Sequence, residues 1–226
     1  MFDVTNCIYN TKCSIQSETP HLCNEACPRY LEVSYQLGVS GIPKAMQKPM
    51  PLYPEKIDVP SFKELKEIRD NISEFTKEGR NLYIYSHSVG TGKSSWSVKI
   101  LVSYLNQNWL GAGRRDLIRF VNVSSLLAKL KAFGEHDEEW KREKEKILSV
   151  PLVVFDDIGA SKLSDFDHAN LFYFIDTRLT NGLSNIYTSN LGEVALKEVI
   201  GERLFSRVWN TSKKVEFKGR DRREQL

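Results

Sequence analysis

Short apolar runs alternate with amphipathic stretches along most of the chain, and the alternation itself predicts the fold. Apolar runs at 81–85, 117–123, 151–155 and 185–190 have strand length, and the last stretch, 213–226, opens as a strand and finishes as a basic tail. The run PLVVF at 151–155 is continuously apolar, which suits a strand buried on both faces of a parallel sheet. Between these runs the period changes to that of a helix. RYLEVSYQLG predicts a helix ending at Gly38, after which Pro43, Pro49, Pro51 and Pro54 mark a linker. Ser61 and Glu64 read as a capping box for a helix with Phe62, Leu65, Ile68, Ile72 and Phe75 on one stripe and Gly79 at its end. A helix from Ser94 to about Gln107 buries Val98, Leu101, Val102 and Leu105. Ser124 or Ser125 caps the next, LLAKLKAF, and the charged stretch 136–146 is a solvated helix face. Phe166, Leu171, Phe174, Ile175 and Leu179 form the core stripe of a helix over 165–179, stopped by Asn181-Gly182, and short helices follow at 193–200 and 202–209. Alternating helices and strands without repeats give an α/β domain around a parallel sheet. Trp96 and Trp109 read as packing residues rather than base-stacking platforms.

Composition narrows the class. The chain has 226 residues, 41% hydrophobic and 27% charged, enough for one main domain with a substantial core. A net charge of +3 gives no strong global attraction for nucleic acid, so any such binding must use local patches. No apolar run approaches the roughly 20 residues needed to span a bilayer, and residues 1–10 lack a basic stretch followed by an apolar one, so a cytoplasmic location without membrane contact is expected. All 4 cysteines, Cys7, Cys13, Cys23 and Cys27, precede residue 28. In a reducing compartment that clustering favours a tetrahedral Zn²⁺ over disulfides, with unliganded thiols as the alternative. The expected division is 1–50, a Cys-containing partner-binding segment and linker, and 51–226, the main domain.

The strand at 81–85 leads through Ser88, Val89, Gly90, Thr91 and Gly92 into Lys93, Ser94 and Ser95 at a helix start. This order fits a phosphate-binding loop: glycines admit the phosphates, backbone N–H groups and the helix N-terminus face them, Lys93 reaches the β- and γ-phosphates, and the Ser94 hydroxyl ligates Mg²⁺. A Gly-rich turn with an incidental lysine is the plainer reading. His87 stands where the usual pattern has its first glycine. The apolar run at 151–155 ends in Asp156 and Asp157, suited to holding Mg²⁺ and to polarising an attacking water, or else to capping the following helix. Asn190 ends another strand at the edge where parallel sheets bind ligands.

Taken together, YSHSVGTGKSS, VVFDDIGA, IYTSN, GERLFSRVW and a terminal F-x-G-x-D-x-R resemble the AAA+ ATPases of the replicative-helicase loader group, the DnaC/DnaI type, and more loosely the IstB-type transposition helpers. The likeness runs from about residue 55 to 226, and the leader CPRYLEVSYQLGVSGIPKAM is similar to the segment preceding the core in phage-encoded loaders. It implies a P-loop AAA+ sheet flanked by helices, with ATP and Mg²⁺ as cofactors. Lys93 and Ser94 would form Walker A, Asp156 and Asp157 Walker B, and Asn190 sensor I. Arg203 or Arg207 would be an arginine finger acting in trans, with a surface helix making salt bridges as the plainer reading of the pair, and Arg223 would be sensor II with Arg222 as its rival. The implied partners are a replicative helicase, single-stranded DNA and further copies of the chain. DNA contacts are expected near Arg114, Arg115, Lys129 and Lys131. Asp157 replaces the glutamate of many relatives, which suggests slow turnover, and the short stretch after Asn210 implies a reduced lid.

Overall fold

The computed structural model describes residues 23–24, 26–48, 51–109, 115–132 and 137–221. Five strands, β1 (Asn81–Tyr85), β2 (Ile118–Asn122), β3 (Leu152–Asp156), β4 (Ser184–Ser189) and β5 (Ser212–Glu216), make one sheet in the order β2-β3-β4-β1-β5. Every neighbouring pair is parallel. The helices are α1 (Pro28–Val39), α2 (Val59–Asp70), α3 (Ile72–Lys77), α4 (Lys93–Asn108), α5 (Val123–Ala132), α6 (Glu138–Ser149), α7 (Asp165–Thr180) and α8 (Glu193–Phe205), with one π turn at Ser206–Asn210.

Strand alternation splits the core into two layers, because successive side chains point to opposite faces. Leu82, Ile84, Phe120, Val154 and Ile186 pack under α1 to α4. Tyr83, Val121, Val153, Phe155 and Tyr187 pack under α5 to α8. Both faces of β3 are covered and all its residues are buried, which is why its sequence is apolar without alternation.

Several local expectations change. Helix α2 begins at Val59, two residues before Ser61, whose hydroxyl donates to the Glu216 carbonyl at 2.6 Å and so ties α2 to β5 instead of capping. The stripe through Phe75 is two helices, broken at Asn71. Asn122, rather than Ser124 or Ser125, caps α5: its Oδ1 accepts the Ser125 N–H at 3.0 Å. Phe166 is 50% exposed and leaves the core stripe of α7. Trp96 is buried edge-on against Phe62, and Trp109 packs on the same cluster.

Residues within the expected leader join the sheet domain. Val33, Leu37 and Ile42 share the core of α2 to α4. The Gln36 side chain donates to the Arg115 carbonyl at 2.8 Å and accepts from Leu117 N–H at 3.0 Å, while Phe120 N–H donates to the Ser40 carbonyl at 2.7 Å. This stretch therefore satisfies part of the open edge of β2, as an unpaired strand edge requires. Arg119, bonded to the Val39 carbonyl and to Glu143 of α6, fastens it further.

Candidate nucleotide site

The C-terminal ends of the strands align across the sheet, with Asn122 opposite Asp156 and Tyr85 opposite Ser189 and Glu216. Polar residues at those ends therefore converge on one edge, where parallel sheets bind ligands. From β1 the chain turns at Ser86, and Gly90 (φ 66°) and Gly92 (φ 95°) take left-handed conformations that favour glycine before α4 starts at Lys93. Lys93 is buried, its ammonium donating to the Ser88 carbonyl at 3.0 Å and to Thr91 Oγ1 at 3.4 Å, so the lysine closes the loop on itself.

His87 has no positive φ, so the position does not need glycine. Its ring turns outward, edge-on to Tyr85 and over Gly192, with Nε2 4.0 Å from Glu216.

Asp156 is the electrostatic centre. Burial pushes its carboxyl above the usual carboxylate range. Hydrogen bonds from Ser94 and Thr188 oppose that shift, the Asp157 charge adds to it, and a bond from Asn122 opposes it. The contact with Ser94 joins the two groups expected to hold Mg²⁺, so the donor set fits a hard cation with oxygen ligands. Asp157 is the sole non-glycine residue with positive φ, 58°, among those described, a strained geometry of the kind found at functional sites.

Thr188 and Asn122 were not read from the sequence as site residues. The Thr188 hydroxyl donates to Asp156 Oδ1 at 2.7 Å and accepts Asp157 N–H at 3.0 Å, and so fixes both carboxylates from the neighbouring strand. Ser189 extends the stitch: its hydroxyl donates to the Ile158 carbonyl at 2.6 Å, and its own carbonyl accepts Ser86 N–H at 3.2 Å. The available signal was a polar residue following an apolar strand, the same one that pointed to Asn190. Asn190 is half-buried just beyond β4.

The C-terminal stretch closes over the loop. Asp58 Oδ1 accepts Lys218 N–H at 2.8 Å and Gly219 N–H at 3.2 Å, and Glu55 accepts Arg220 N–H at 3.0 Å. Asp221 then lies so close to Gly90 that a Cβ there would meet its carboxylate at 1.6 Å. Arg222 and Arg223 lie outside the described residues. Arg203 and Arg207 are brought together elsewhere, on the kinked end of α8 and the π turn, against α7. Arg115 and Lys129 are exposed, Lys131 pairs with Asp167 at 2.8 Å, and Arg114 lies outside the described residues.

Cys7 and Cys13 also lie outside them. Cys23 and Cys27 are half-buried, and the described residues hold no group of three side chains able to bind a metal. No helix among them is long and apolar enough to cross a membrane.

Residues 59–225, which contain the loop, Asp156, Asp157 and Thr188, match the IstB-like ATP binding protein family. The chain belongs to that family. Its fold is similar to that of the DnaC helicase loader, with 26% identity and a TM-score of 0.62 over 74% of this chain and 93% of that one. DnaI superposes with a TM-score of 0.59 at 19% identity, over 77% and 94%. The replication initiator DnaA, solved bound to AMPPCP and single-stranded DNA, matches with a TM-score of 0.56 at 19% identity, over 73% of this chain and 47% of that one. A search of curated proteins found no match. Family and fold make this an AAA+ ATP-binding domain of DnaC-like architecture.

Proposed function

We propose that the chain is an ATP-dependent helicase loader, which assembles through bound nucleotide, holds single-stranded DNA and delivers a replicative helicase to it. The observation that carries this reading is the likeness to the DnaC helicase loader over 93% of that chain, combined with the Walker geometry here. In this reading the N–H groups of Ser88 to Gly92 and the α4 N-terminus bind the phosphates, and Lys93 leaves Ser88 to meet them. Ser94 and Asp156 hold Mg²⁺, which supplies charge neutralisation on the phosphates. Asp157 polarises the attacking water, Asn190 orients it, and Arg223 closes on the nucleotide. Arg203 or Arg207 enters the site of a neighbouring copy, an effect on the order of 10³ to 10⁵ in rate among nucleotide hydrolases. Cys7, Cys13, Cys23 and Cys27 hold a structural zinc in the partner-binding segment, and Arg115 and Lys129 contact DNA.

The test is co-purification with a hexameric replicative helicase, with and without ATP. ATP-dependent capture, lost in Lys93→Ala together with ATP binding, is expected. Nucleotide binding left intact by Lys93→Ala would refute the site, and capture of a transposase instead of the helicase would refute the loader role. That second outcome is the reading the family match favours, an IstB-like helper of transposition. The short side chain at Asp157 favours a third, a non-hydrolysing adaptor. DNA-stimulated phosphate release abolished by Asp157→Asn excludes it.

A further inference from the structure

Helix α7 carries His168, Phe172 and Asp176 at intervals of four residues, which aligns them along one face. Each meets one feature of the segment bearing the arginine pair. His168 Nε2 lies 3.4 Å from where a Cβ on Gly201 would stand. Gly201, at φ 76° and ψ 159°, is the break that redirects α8 just before Arg203. The Phe172 ring sits 4.0 Å below the Arg203 guanidinium carbon and 6.0 Å from that of Arg207. Asp176 Oδ1 accepts from Arg207 Nε at 2.5 Å. The three contacts follow the same order along both elements, so α7 acts as a rail for the kink and for both arginines.

The geometry of the last contact matters chemically. A carboxylate at Nε fixes the plane of a guanidinium and leaves its paired Nη groups for another acceptor, and a flat ring beneath a guanidinium restricts it in the same way. An arginine unrestrained at the surface loses rotamer entropy when it engages a ligand. Orienting it in advance removes part of that cost.

We infer that Phe172 and Asp176 are positioning residues, which aim Arg203 and Arg207 at a nucleotide phosphate held by a second copy of the chain. The inference rests on the trans-arginine reading proposed above. It also gives α7 a two-ended role. The chain leaving Asp157 runs through a short loop to the Ser164 capping box, so the segment that follows the carboxylates of its own site continues into the helix beneath the arginines offered to the next.

An ion pair as exposed as Arg207–Asp176, with side chains 45% and 34% accessible, contributes little to stability. A merely structural role therefore predicts almost no effect when it is removed. The experiment measures steady-state ATP hydrolysis by full-length protein with single-stranded DNA, together with nucleotide affinity from a fluorescent ATP analogue. Asp176→Asn and Phe172→Leu are expected to lower kcat about ten- to a hundred-fold, as small misplacements of catalytic groups do, with KM and analogue affinity unchanged and, for Asp176→Asn, an unchanged melting temperature. Asp176→Glu should recover part of the rate. Mixing Asp176→Asn with Lys93→Ala subunits should also restore hydrolysis, because the first keeps a working nucleotide site and the second keeps well-aimed arginines. Wild-type rates in Asp176→Asn and Phe172→Leu, or a deficit that mixing does not relieve, would overturn the inference. The double variant Arg203→Ala/Arg207→Ala separates the levels. If it hydrolyses ATP at the wild-type rate, the trans-arginine reading fails. If it is inactive while Asp176→Asn and Phe172→Leu are fully active, only the positioning role fails.

Discussion

Replacing Thr188 with valine tests whether β4 aims the carboxylates of Asp156 and Asp157. The side chain is wholly buried and valine has nearly its shape, so the change removes a hydroxyl without opening a cavity. Two hydrogen bonds disappear, one to the Asp156 carboxylate at 2.7 Å and one from Asp157 N–H at 3.0 Å. A bond to a charged group contributes about 1.5–3 kcal/mol and a neutral one about 0.5–1.5, so the loss is about 2–4.5 kcal/mol. For a domain of this size that lowers the melting temperature by roughly 4–18 °C. Asp156 loses a donor that opposes its upward shift and becomes harder to ionise where Mg²⁺ needs the carboxylate. ATP hydrolysis should fall about ten- to a hundred-fold through lost alignment, and Thr188→Ser, which keeps the hydroxyl, should recover most of both effects. Thermal melts and steady-state hydrolysis are the assays. Thr188→Val protein that melts and turns over like wild type would refute the argument.

Asp156→Asn should abolish hydrolysis yet raise the melting temperature of nucleotide-free protein at pH 7.5. The folded carboxyl holds its proton more tightly than the unfolded one, whose pKa is about 4. Wild-type stability therefore falls as pH rises through and above that value, and asparagine lacks the penalty. An advantage of the same size at pH 4 would contradict this sign. His87→Gly should leave nucleotide affinity unchanged, because φ there is not positive, and should cost about 0.5–1 kcal/mol through chain entropy and the lost contacts with Tyr85 and Gly192; tighter ATP binding in a titration would show that the loop does want glycine. Metal analysis should find about one zinc per chain, lost together with partner binding on chelation; four freely titratable thiols would end the zinc proposal.

Much of the architecture was legible because it depends on local order. Strand, glycines, Lys93 and helix follow one another without interruption, and the apolar run ending in Asp156 has to be a buried strand in any α/β packing. The break between the helices expected at 193–200 and 202–209 falls at Gly201, and Asn181-Gly182 ends α7 as expected. Local signals misled where a tertiary partner outbid them. Ser61 looked like a cap and is instead committed to the Glu216 carbonyl across 155 residues of sequence. Phe166 fitted the helical stripe but lies in the first turn of α7, where it stays half exposed.

The sequence by itself determined the phosphate loop, the paired carboxylates and the family, since each is written in contiguous residues whose chemistry does not depend on distant contacts. Only the tertiary structure decided what surrounds them. Strand order puts β4 between β1 and β3, so Thr188 and Ser189 bind the Asp156–Ile158 stretch on one side and the start of the loop on the other. Helix packing sets His168, Phe172 and Asp176 beneath the arginine segment. The clasp from Asp58 and Glu55 brings Asp221 onto Gly90. The physical reason is common to all three: a hydrogen bond or ring contact between residues far apart in sequence has no local periodicity, and exists only once the sheet fixes which strand ends are neighbours.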